Sequence, residues 1–96
     1  MRRRAGDQLV RTMTITNKRG LHARASARFV QCVERFDAQV TVTKDGFEVG
    51  GTSIMGLMML AAANGSDIQV AAAGRQAREA LDALAELVAG KFGEGE

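Results

Sequence analysis

Apolar and polar residues alternate from Gln8 to Thr16, with Met13 and Ile15 on one side and Thr12, Thr14 and Thr16 on the other. A period of two predicts a strand with one wet face. Asn17-Lys18-Arg19-Gly20 breaks it with turn-forming residues. From Ala23 to Phe36 the spacing changes: Ala25, Phe29, Cys32, Val33 and Phe36 recur at helical intervals. Alternation resumes over 38–44, where Val40 and Val42 oppose Thr41 and Thr43. Asp45-Gly46 is a short-hairpin signal, Phe47-Glu48-Val49 the return strand, and Gly50-Gly51 its end. Thr52 or Ser53 can cap a second helix, predicted to reach Ala62 or Ala63 and to stop at Asn64-Gly65. Ile68 and Val70 alternate with Asp67 and Gln69 in a fourth strand, punctuated by Gly74. Ala77, Ala80, Leu81, Leu84, Leu87 and Val88 then follow the i, i+3, i+4 rule, which predicts a last helix over 76–89.

The order is β-α-β-β-α-β-α. Each strand offers one apolar face, and the inward set is expected to be Met13, Ile15, Val40, Val42, Phe47, Val49, Ile68 and Val70. A sheet with one apolar face needs covering on one side only. The predicted class is α+β: an open-faced two-layer β-sandwich, its four-stranded antiparallel sheet covered on one face by three helices. A chain of 96 residues holds one core. The domain is expected to span 8–90, between a basic flexible tail at 1–7 and a frayed C-terminal tail at 91–96.

Composition narrows the function classes. The lone Cys32 excludes a disulfide framework and fits a reducing, cytoplasmic setting. It sits on or near an apolar stripe and reads as a small buried hydrophobe. No run of about 18 apolar residues is present, so membrane insertion is not expected. The formal net charge is +2. Arg2, Arg3 and Arg4 against Asp7 account for all of it, so the body of the protein is neutral. Three arginines fall short of a nucleic-acid or lipid-binding cluster, and the arm reads as a solvated terminus. No apolar stretch follows it as in a secretion signal. An RNA-binding sheet would carry stacking aromatics on its open face. This face reads Thr12, Thr14, Thr41, Thr43 and Gln69, so no nucleic-acid partner is expected.

The candidate chemistry lies in Gly20-Leu21-His22-Ala23-Arg24, which holds the only histidine. It falls where a loop becomes a helix, at the positive end of the helix dipole, beside N–H groups without internal partners. Such a place stabilises an anion and disfavours an imidazolium. A neutral imidazole has a free ring nitrogen and can act as a nucleophile. A phosphoryl group accepted there would lie on the helix N-terminus, within reach of the Arg24 guanidinium. Lys18, Arg19 and Arg28 add positive field. The residues alone leave a capping or surface histidine equally open. A hydrolytic triad lacks its strand–turn–helix context, and one His with one Cys cannot build a zinc site without carboxylates, so neither metal nor cofactor is expected. The chain also has no nucleotide-binding glycine loop, so a phosphoryl group must come from another protein.

The segment 53–60 is apolar nearly all round, with Ile, Leu or Met at six of its eight positions. A short surface helix needs one apolar stripe, so the excess predicts an exposed, Met-rich docking patch. Ser53 at its start can be a cap or a phosphorylation site, since charge beside an apolar patch disturbs docking.

Gly20-Leu21-His22-Ala23-Arg24, followed some thirty residues later by Ser53-Ile54-Met55-Gly56, resembles the HPr family of phosphocarrier proteins of the bacterial phosphoenolpyruvate-dependent phosphotransferase system. The resemblance covers about residues 8–90, and the element order agrees with that family's fold. It implies that His22 is phosphorylated on Nδ1 by phospho-Enzyme I, that Arg24 stabilises the phosphate, and that the group passes to an EIIA-type protein. It implies a regulatory role for Ser53, modified in some bacteria by a dedicated HPr kinase/phosphorylase, and a partner-contacting patch at Ala23, Ala27, Ile54 and Met55. Many members have proline after the arginine where this chain has Ala25. The Ala25-Ser26 form looks like the nitrogen-related branch, whose role is regulatory. The alternative reading is therefore a regulator of that branch acting mainly through protein contacts. A carrier that presents one face to successive partners is expected to be a monomer.

Overall fold

The structure is a computed structural model and describes residues 8–95. The basic tail expected at 1–7 lies outside the described residues. The elements are β1 (Leu9–Thr14), α1 (Ala23–Val33), β2 (Gln39–Lys44), β3 (Phe47–Gly50), α2 (Ile54–Met59), β4 (Asp67–Ala73) and α3 (Ala77–Ala89), followed by a 3-10 turn at Lys91–Gly93. The strands form one antiparallel sheet in the order β1-β4-β2-β3. The register sets Met13 opposite Ile68, and Val42 between Val70 and Val49. The three helices lie on one face, as the alternation predicts, and the other face stays open.

The core between the two layers joins Met13, Ile15, Val40, Val42, Ile68 and Val70 from the sheet to Ala25, Phe29, Val33, Leu81, Leu84 and Val88 from the helices. Burying one such large side chain stabilises the fold by roughly 1.5–3 kcal/mol. Asp45 and Gly46 both take positive φ (52° and 81°), as a tight primed hairpin turn requires. Cys32 is buried on α1. Burial pushes its thiol above the ordinary range, with the Arg35 charge opposing, so it remains a packing residue.

Four expectations need correction. Phe47 is 52% exposed rather than inward. It begins an edge strand, and the six-residue α2 reaches Val49 but leaves this end of β3 uncovered. Helix α1 ends at Val33, not Phe36, because Arg35 and Phe36 donate to Cys32 and Val33 in tighter i→i−3 bonds. Helix α2 stops at Met59 rather than Ala62, because Ala61 adopts the left-handed conformation (φ 53°). Asn64-Gly65 instead belongs to the turn into β4, with Gly65 N–H donating to Ile15 O at 2.7 Å.

The fourth correction concerns the C-terminus. Residues 91–93 are not frayed: they wind into the 3-10 turn, and Phe92 is fully buried in the core cluster. Lys91 and Phe92 both take positive φ (58° and 56°) to make that fold-back. An apolar ring gains enough from burial to hold a short tail that its glycine-rich neighbours would otherwise leave loose. Among the described residues, no helix is long and apolar enough to cross a membrane.

Candidate functional site

His22 is the N-cap of α1, with extended backbone (φ −76°, ψ −177°). Its carbonyl accepts the Ser26 N–H at 2.9 Å, and its side chain does no capping. The loop before it is fixed from below. Gly20 takes φ 66°, and Leu21 N–H donates to Ala62 O at 2.9 Å. A Cβ at position 20 would sit 2.2 Å from that same oxygen. Ser26, fully buried, donates its hydroxyl to Leu21 O at 3.2 Å and ties the loop to the first turn of the helix. Ala25, where many members of the resembled family have proline, is buried inside an unbroken helix.

The imidazole is mostly buried, and its Nε2 is hydrogen-bonded to Glu94 Oε2. The other oxygen of that carboxylate accepts from Asn17 Nδ2 at 3.1 Å, and the same Asn17 nitrogen donates to Gly20 O at 2.9 Å. Burial raises the proton affinity of the Glu94 carboxyl. The hydrogen bonds from His22 and Asn17, with the charge of Arg19, outweigh it and hold the group below the usual carboxylate range. Arg28 donates to Phe92 O and so clamps the tail that carries Glu94.

Beside this pair lies a cleft of about 310 Å³, walled by Lys18, Arg19, Arg24 and Arg28 and by the tail at 93–95. The structure thus brings together the four cations that the sequence placed near His22. Ser53 lies elsewhere, as the N-cap of α2: its Oγ accepts from Gly56 N–H at 2.9 Å, which decides between Thr52 and Ser53. Leu57 and Leu60 are buried, while Ile54, Met55, Met58 and Met59 are exposed. Ala23 is exposed and Ala27 half-buried on α1, which packs against α2. The described residues hold no cluster of three or more metal-ligating side chains.

Sequence reasoning missed Glu94, Asn17 and Phe92. One signal was available: Phe92 follows Val88 by four residues and prolongs the apolar stripe of α3. Nothing in Gly93-Glu94-Gly95 itself points to His22.

The model of the family described as "PTS HPr component phosphorylation site" matches residues 9–90. The chain belongs to the HPr family. It is 51% identical over 88 residues to the phosphocarrier protein HPr of Neisseria meningitidis serogroup B, covering 92% of this chain and 99% of that one. It is 50% identical over 88 residues, with the same coverage, to the HPr of Cupriavidus necator. The crystal structure of HPr-C-His from Thermoanaerobacter tengcongensis superposes with a TM-score of 0.87 at 42% identity, covering 92% of this chain and 99% of that one. As an HPr-family member, the chain is a phosphocarrier of the bacterial phosphotransferase system rather than a catalyst in the usual sense.

Proposed function

We propose that His22 accepts a phosphoryl group on Nδ1 from phospho-Enzyme I and passes it to an EIIA-type protein. The observation that carries this reading is the placement of the one histidine at the N-cap of α1, beside a cleft walled by four cationic side chains. A helix N-terminus and convergent guanidinium groups both favour the incoming dianion. Arg24, exposed two residues into that helix, is the phosphate-stabilising residue. Ala23, Ala27, Ile54 and Met55 form the partner surface, and one chain supplies all of it, so the carrier works as a monomer. Its unpaired, buried Cys32 suits a cytoplasmic carrier. Ser53 is the regulatory position: the residue is exposed, and a phosphate there is tolerated by the helix start while charging the edge of the Met patch.

Incubation with phosphoenolpyruvate and Enzyme I, followed by mass measurement, tests the reading. One acid-labile phosphate is expected on the wild type and none on His22→Ala. No mass gain with an active, matched Enzyme I overturns it. Arg24→Ala is expected to slow phosphoryl uptake about tenfold, the loss of one charge-assisted hydrogen bond.

A further inference from the structure

Glu94 lies beyond the segment 9–90 that the family model matches. Resting on the reading of His22 as the phosphoryl acceptor, we propose that Glu94 is a positioning residue: its carboxylate accepts the Nε2–H of His22, holds the imidazole in that tautomer, and leaves the Nδ1 lone pair as the nucleophile.

The placement of this carboxylate is built rather than incidental. Phe92, fully buried, anchors the tail, and Arg28 holds the Phe92 carbonyl. Glu94 N–H closes on Lys91 O at 3.0 Å, which turns the side chain back to the site. Asn17, itself fully buried, holds the far carboxylate oxygen. An ionised carboxylate only accepts hydrogen bonds, so the ring nitrogen facing it must carry the proton. A neutral imidazole has one N–H, and its other nitrogen then has the lone pair. In the transfer step that pair forms the new P–N bond. The P–N bond of the donor phosphohistidine breaks, and its electron pair returns to the donor ring. His22 keeps its Nε2 proton throughout, so the ring becomes cationic against a fixed negative charge.

Asn17 makes the idea sharply testable. Its Nδ2 also serves Gly20 O, so the amide cannot turn over without losing that bond. In Glu94→Gln the new oxygen must therefore face Asn17, and the new NH₂ must face His22. An NH₂ donor requires a bare Nε2, which moves the ring proton to Nδ1 and blocks the nucleophile. Glu94→Ala merely releases the ring to a mixture of tautomers. Both variants retain Phe92 and the tail anchor.

The experiment reads the ring tautomer by ¹⁵N NMR of the unphosphorylated full chain, and the initial rate of phosphoryl uptake from phospho-Enzyme I. The wild type is expected to carry its proton on Nε2. Glu94→Gln is expected to shift it to Nδ1 and to slow uptake by about tenfold or more, as a wrong tautomer does in other imidazole-dependent sites. Both variants lose the carboxylate charge, and Glu94→Ala is expected to retain at least about threefold more activity than Glu94→Gln, because some of its rings keep the correct tautomer. A purely structural role predicts the opposite order, because Gln preserves shape and Ala does not. A wild-type ring protonated on Nδ1, or a Glu94→Gln rate at or above that of Glu94→Ala, overturns the proposal. A wild type that takes up no phosphate sinks the carrier reading instead, and the tautomer signal still decides whether Glu94 holds the ring.

Discussion

Gly20 is required for two separate reasons. Its φ of 66° disfavours any side chain, and a Cβ would collide with the Ala62 carbonyl and approach Ala63 Cα to 2.9 Å. Both neighbours are backbone atoms and cannot swing aside. Gly20→Ala is expected to destabilise the fold by about 2–4 kcal/mol in urea unfolding, since strain and overpacking combine. It should also slow phosphoryl uptake, because this loop sets the position of His22. Glu94 gives a second residue-scale expectation. Its folded-state proton affinity is lowered, so the ionised form stabilises the fold above the ordinary carboxylate range. That contribution is lost as pH falls through the lower folded value. The difference in melting temperature between wild type and Glu94→Ala should therefore be present at neutral pH and vanish in acid.

Among the elements, α2 divides its residues most sharply. Leu57 and Leu60 face the core, while Met55 and Met59 are 69% and 65% exposed. Leu57→Ala should cost about 2–5 kcal/mol, and Met59→Gln should stay within about 0.5 kcal/mol of wild type by thermal or urea unfolding. Ser53→Ala removes the cap and should cost about 1 kcal/mol. Ser53→Asp keeps an acceptor at the helix start and should leave stability nearly unchanged. The C-terminal turn behaves as part of the fold. Phe92→Ala is expected to cost about 3 kcal/mol and to release Glu94 from His22, which would appear as loss of the distinct imidazole tautomer signal.

At the scale of the whole molecule, the helical layer carries a cationic cleft next to His22 and an apolar patch on α2. On the proposed reading, a partner that exchanges a phosphoryl group with His22 docks on this patch. Met55→Asp is therefore expected to raise the KM for phospho-Enzyme I about tenfold or more without lowering the melting temperature, because a charge is then desolvated at the contact and not in the core. A drop in stability of several degrees would instead mark Met55 as structural.

Local periodicity determined the element order, the one-sided sheet and the face that each regular element buries, because those follow from side-chain spacing within a single strand or helix. It also placed His22 at a helix start and Thr52 or Ser53 at another, since capping is a matter of neighbours in sequence. Tertiary packing decided the rest. Phe47 looked inward by alternation, yet faces water because its strand is at the edge and α2 is too short to reach it. Glu94 and Asn17 are 77 residues apart in the chain and meet at the imidazole only because Phe92 sinks into the core. A contact of that separation has no periodic signature: it exists only when the burial of one ring offsets the entropy of ordering the tail.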